Sequence, residues 1–166
     1  MASIIGVETL QHTNGTTAAT IDSSGRMKVG GNKIAWSATR SGNQGSYDGT
    51  AQTDPVIYNN EVYDYGSNYS TATGLFTAPV DGQYVYHAGY YSPSIAALQI
   101  WIIVNGVRKE TTVVGDGTTQ YVSGSGIVEL SANDTLGIVA YTNNASTTIN
   151  ENQFHTFFKG ALIMAY

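Results

Sequence analysis

The stretch Gln83-Tyr84-Val85-Tyr86-His87-Ala88-Gly89-Tyr90-Tyr91 decides the class of fold. Tyr84, Tyr86, Ala88 and Tyr90 share one side and His87 lies on the other, the two-residue period of a strand. Downstream, Leu98, Ile100, Ile102 and Val104 share a face while Trp101 and Ile103 lie opposite, so that strand must be covered on both sides. Asn105-Gly106 follows directly, a two-residue hairpin signal because both positions accept positive φ. Lys109 to Val114 is the returning strand and Gly115-Asp116-Gly117 the next turn. Tyr121 to Leu130 is a further strand, thinned by Gly124 and Gly126, where another group approaches the backbone closely. Ser131 to Asp134 turns into Thr135–Tyr141. The last run, Phe154 to Tyr166, places Phe158, Gly160, Leu162, Met164 and Tyr166 on one face. No window carries a 3.6-residue period with caps. Strand runs separated by turn chemistry predict an all-β sandwich or barrel.

Composition narrows the function. The 166 residues carry a formal net charge of −5, so the basic footprint of a nucleic-acid binder is absent. Charged residues make up 11% of the chain, well under the ~25% of an ordinary soluble domain, whereas hydrophobic residues reach 42%, too many for a disordered chain. Nineteen Gly and twelve Tyr point to short strands, tight turns and amphipathic tyrosines at surfaces or interfaces. Cysteine is absent, which excludes disulfides and thiolate chemistry. The longest near-apolar stretch, Ile95 to Val104, is about half of what a membrane helix needs, so no membrane insertion is expected. The opening residues lack the basic and apolar regions of a secretory signal.

Residues 1–32 differ from the rest. Aromatic residues are missing there, and Ile4-Ile5-Gly6-Val7 and Ala18-Ala19-Thr20-Ile21 are two short apolar patches, each able to form an extended strand. Asp22-Ser23-Ser24-Gly25 supplies a turn between side-chain acceptors and a glycine. The segment reads either as a frayed terminus or as an arm that orders on a partner or a neighbouring subunit.

The order of segments resembles a known family. Ala35-Trp36-Ser37-Ala38, Val56-Ile57-Tyr58-Asn59, Gly74-Leu75-Phe76-Thr77-Ala78-Pro79 and Gly82-Gln83-Tyr84-Val85-Tyr86 resemble the globular head of complement's first component, a family that shares its jelly roll with the tumour necrosis factor ligands. Val104-Asn105-Gly106, Leu130 to Leu136 and Phe158-Lys159-Gly160-Ala161-Leu162 continue the likeness through residues 33–166. The resemblance implies a jelly-roll sandwich of about eight to ten antiparallel strands that packs as a homotrimer, preceded here by an extended N-terminal arm. Collagen-like Gly-X-Y repeats are missing. The arm, through Thr20-Ile21-Asp22-Ser23-Ser24-Gly25-Arg26, is similar to the opening of bacteriophage virion proteins. Together these imply a non-enzymatic capsid decoration (cement) protein on the virion surface, with the major capsid protein as partner. Ile4, Ile5, Val7, Leu10 and Ile21 of the arm would bind the shell; Tyr84, Tyr86, Phe158, Leu162 and Tyr166 would either meet across the trimer interface, as the resemblance implies, or fill the sandwich core alone. The alternative is a receptor- or glycan-binding tip of a tail or capsid fibre, presenting Tyr63, Tyr65 and Tyr69. Those tyrosines serve equally to pack a long loop against the sandwich.

No catalytic set emerges. His12, His87 and His155 lie in the arm, in a strand and near the last strand, and no Gly-x-Ser-x-Gly elbow is present. Gly115-Asp116-Gly117 completes no nucleotide fingerprint. Between Ser41 and Val107 there is no Lys or Arg, while Asp48, Asp54, Glu61, Asp64 and Asp81 fall inside that span. A calcium ion wants such oxygens converging, but EF-hand spacing is missing, so no cofactor or metal is assigned and calcium is the one metal the stretch suggests.

Overall fold

A computed structural model describes residues 8–29, 33–51, 53–93, 98–114, 120–143, 146–151 and 154–166. The chain divides into two compact units, Met1–Lys33 and Ile34–Tyr166.

In the first unit β1 (Thr9–Gln11), β2 (Thr17–Ile21) and β3 (Met27–Val29) form an antiparallel sheet in the order β1-β2-β3. The arm expected as extended chain is therefore a folded-back meander over its described residues. The turn chemistry accounts for the difference. The Asp22 carboxylate accepts the backbone N–H groups of Ser24 and Arg26 at 3.0 Å each, closing the β2–β3 turn. Its other oxygen accepts the Arg26 Nε–H at 2.9 Å. These bonds, led by the Arg26 backbone N–H, hold the Asp22 carboxyl below its usual range. Gly15 and Gly25 take positive φ at the two reversals.

The second unit holds β4 (Ala35–Thr39), β5 (Gln44–Tyr47), β6 (Asn60–Tyr65), β7 (Tyr69–Ser70), β8 (Leu75–Thr77), β9 (Gly82–Tyr91), β10 (Gln99–Val104), β11 (Val107–Val114), β12 (Tyr121–Leu130), β13 (Thr135–Tyr141), β14 (Thr147–Ile149) and β15 (Phe157–Ala165). Two five-stranded antiparallel sheets, β12-β9-β15-β4-β6 and β11-β10-β13-β8-β7, enclose one core, and β14-β5 forms a small separate ladder. The all-β jelly roll is thus present, with ten strands in its two main sheets. Asn105 and Gly106, at φ 52° and 73°, make the two-residue turn between β10 and β11.

The core is aromatic. The Trp36 indole of β4 stacks on Phe76 of β8 with centroids 3.8 Å apart and meets Phe158 of β15 edge-on at 5.3 Å. The segments that carry the family likeness thus converge on one cluster, which also explains why they stand so far apart in the chain. Six tyrosines go inside rather than to the surface, because each phenol finds an acceptor: Tyr86 donates to the Glu110 carboxylate and the other five to backbone carbonyls. Tyr47 donates to Asp54 at 2.6 Å, Tyr69 to Tyr58 at 3.0 Å, Tyr84 to Val80 at 2.8 Å, Tyr58 to Gly89 at 3.3 Å, and Tyr90 to Tyr141 at 3.1 Å. The close approach expected at β12 is found at Gly126, where a Cβ would strike the Tyr86 ring.

The outer side of β10 is sealed without a further layer. Trp101 and Ile103 join Val139 in a second small cluster. The Tyr141 ring stacks on Trp101 at 4.1 Å, and the Arg108 guanidinium lies 3.6 Å from the Trp101 ring centroid.

Candidate assembly face

The sheet β12-β9-β15-β4-β6 has one face in the core, and its register assigns the residues of the other. Tyr86 pairs with Gly126 and Gly160, and these point inward; Val85 pairs with Ile127 and Ala161, and these point outward. Tyr84, Tyr86 and Phe158, expected at the subunit interface, are 0% exposed and lie in the core, so they offer no surface to a second copy. Alternation gives the period but not its inward side: the tyrosine face is the interior, and Val85 marks the exterior. Leu162 packs against the rim of the same core, and Tyr166 lies open at the C-terminal end.

A β-bulge changes the other half of that expectation. Between Leu162 and Met164 the β15–β9 register slips by one residue, so Leu162 faces Tyr84 but Met164 faces Gln83. Met164 consequently leaves the Phe158–Gly160–Leu162 series and joins the outer face, with Ile163 exposed beside it.

That outer face is apolar toward one end. Val85 is 37% exposed, Ile127 61% and Ile163 53%. On β6, Tyr63 and Tyr65 stand opposite Ser37 and Ala35 and stack on each other with centroids 5.3 Å apart. Because Ala35 and Ala161 are small, a shallow groove of about 230 Å³ opens between Tyr63, Val85, His87 and Lys159. Tyr69 does not belong to this surface: it is buried, and its backbone N–H donates to Asp64 Oδ2 at 2.7 Å. For Tyr69 the packing alternative holds, since its ring lies edge-on to Phe158 at 6.0 Å.

The charged groups of the sheet's outer face include Lys159 at its middle and Glu129 near one end of β12, with the His87 imidazole beside Lys159 and the phenols of Tyr63, Tyr65, Tyr91 and Tyr121 toward its edges. Lys159 Nζ lies 4.5 Å from the Phe157 ring centroid, and the His87 imidazole meets the same ring edge-on at 4.7 Å. Burial first, and the Lys159 ammonium second, push the His87 pKa down from its ordinary value. His155 lies against Tyr121 at 4.6 Å, and His12 Nδ1 accepts the Asn14 backbone N–H in the turn after β1. The three histidines therefore sit among aromatic rings or in a turn.

Three of the five acidic residues between Ser41 and Val107 hold separate local partners. Asp48 binds the backbone N–H and hydroxyl of Thr50, Asp64 binds Tyr69, and Asp81 accepts the Ala132 N–H at 2.7 Å. Among the described residues no group of three or more acidic or imidazole side chains converges on a point. In the first unit Leu10 and Ile21 are exposed, and so is Met27, which the sequence reading did not single out. Ile4, Ile5 and Val7 lie outside the described residues.

The pattern of the C1q domain matches residues 35–163, more than three quarters of the chain. The chain belongs to the C1q domain family. Protein HP-25 homolog 1 of Bos taurus is 26% identical over 122 residues, 72% of this chain and 54% of that protein, so the chain spans about half the length of that curated relative. The globular domain of zebrafish complement 1qA superposes on the C1q domain with a TM-score of 0.60 at 20% identity, covering 81% of this chain and 99% of the other. The Eiger TNF of S. frugiperda does so with a TM-score of 0.58 at 13% identity, covering 82% and 96%. Murine APRIL gives 0.59 at 11% identity, covering 79% and 99%. At these identities the likeness is one of fold. Within this C1q domain the matched span begins at Ala35, next to the start of the second unit at Ile34.

Proposed function

We propose that the protein is a non-enzymatic homotrimeric structural module whose three C1q domains close over the outer face of β12-β9-β15-β4-β6. The observation that carries this reading is the exposed apolar series Val85, Ile127, Ile163 and Met164 on the outer face of one sheet. Apolar patches of this kind mark association surfaces. Each protomer keeps a separate N-terminal sheet with Leu10, Ile21 and Met27 exposed, which suits attachment to a second protein. We assign that second protein as a capsid shell protein, making the trimer a head decoration protein on the virion surface. The short strands of the N-terminal unit can add to a shell sheet by edge pairing, and a trimer that binds only the assembled lattice stabilises it by mass action.

Light scattering on the purified chain is expected to give three times the chain mass, and Val85→Asp to give single chains with unchanged far-UV circular dichroism. A single-chain mass for the wild type refutes the trimer. Co-sedimentation with capsids stripped of surface proteins tests the partner: deleting residues 2–27 is expected to abolish binding and leave the trimer intact. A second reading, a receptor- or glycan-binding tip, is favoured by the stacked, exposed Tyr63–Tyr65 pair on edge strand β6. It requires that Tyr63→Ala with Tyr65→Ala abolish adsorption to host cells while capsid binding is absent.

A further inference from the structure

We propose that protonation of His87 drives the three protomers apart, so that the assembly face is a joint released by acid; this rests on the homotrimer reading above. His87 occupies the middle of β9 on the outer face, in register with Ser125 of β12 on one side and Lys159 of β15 on the other. The Phe157 ring is shared between the His87 imidazole and the Lys159 ammonium, at 4.7 Å and 4.5 Å. A proton on His87 therefore sets a second cation beside a permanent one.

Among the described residues of this unit, the groups that face His87 supply no compensating acid. From β15 the facing groups are Phe157 and Lys159; from β12 they are Tyr121, Ser123 and Ser125. Glu129 shares that face of β12 but pairs with Gln83, four residues beyond Ser125 and so about 13 Å along the strand at ~3.3 Å per residue. That exceeds the Debye length of about 8 Å at physiological salt. Tyr91 lies on the same side of β9, and across the groove stand Ser37 of β4 and Tyr63 of β6. Glu61 of β6 is exposed beyond the register shift that follows Ser37, two residues from Tyr63 along the edge strand and separated from His87 by two strands.

Closing the face removes water from His87 and strengthens its repulsion from Lys159, so the open face binds the proton more tightly than the closed one. Acid then favours separate chains. Between the two affinities the association constant falls by up to about tenfold per protomer per pH unit, or about a thousandfold for a trimer.

The test is the mass of the full chain by light scattering at pH 7.5 and 5.0, at micromolar concentration, with circular dichroism at both pH values. Wild type is expected to pass from trimer to folded single chains. His87→Gln, with His87→Asn as a second variant should the first misfold, is expected to stay trimeric at both, and His155→Gln to follow the wild type. A wild type that stays trimeric at pH 5.0, or a His87 variant that dissociates with the wild-type profile, overturns the switch alone. Single chains at pH 7.5 overturn the trimer itself.

Discussion

Gly160 sits where the Trp36 indole crosses β15, and a Cβ there would strike the indole ring and approach the Val85 carbonyl. Trp36 has little room to yield, because Phe76 stacks on it at 3.8 Å. Gly160→Ala is therefore an overpacking change, expected to cost roughly 1–3 kcal/mol in urea unfolding. An unchanged midpoint would mean that the aromatic cluster is looser than its contacts indicate. The Phe158-Lys159-Gly160-Ala161-Leu162 segment of the family likeness thus combines two demands at neighbouring positions. Phe158 fills the core, and Gly160 lets the indole pass.

At the scale of elements, β10 shows how a strand apolar on both faces is satisfied at the edge of a molecule. Its inner side joins the common core, whereas its outer side is closed by Tyr141 and by Arg108 from the hairpin partner β11. The Asn105-Gly106 turn sets this up by fixing the register that pairs Ile103 with Arg108. Arg108→Ala removes both the charge over the ring and the cover. It is expected to lower stability by about 0.5–1 kcal/mol and to raise quenching of Trp101 fluorescence by acrylamide, Trp36 being enclosed throughout. Quenching identical to wild type would show that Tyr141 covers Trp101 without help. The β15 bulge is the second element-level device, since one added residue transfers Met164 from the core series to the outer face.

For the whole molecule, the buried tyrosines set an alkaline limit. Burial raises the pKa of Tyr47, Tyr58, Tyr69 and Tyr90 above the ordinary 10.0, despite hydrogen bonds that lower it at Tyr47, Tyr69 and Tyr90. A group held protonated in the folded state contributes stability that is complete below the unfolded pKa and lost as pH rises toward the folded one. These four tyrosines therefore add no pH dependence through neutral pH, and the chain should unfold cooperatively above about pH 10, their phenolate absorbance and the circular dichroism changing together. Phenolate formation completed well before unfolding would show that these hydroxyls reach solvent in the native state.

Much of this molecule is local chemistry and is legible along the chain: the period of two in Gln83–Tyr91, the Asn105-Gly106 hairpin and the Asp22 turn. Each depends on side chains within a few residues of one another, so residue order alone specifies it. Which face of β9 is interior does not follow from alternation, because tyrosine suits a core with available carbonyls as well as it suits an interface. Only the second sheet, bringing Phe76 of β8 against both Tyr84 and Trp36 of the first, decides that the tyrosines go inside and Val85 outside. The bulge in β15 and the meeting of His87 with Lys159 are likewise matters of register between strands about seventy residues apart in sequence, a distance over which no local pattern reaches.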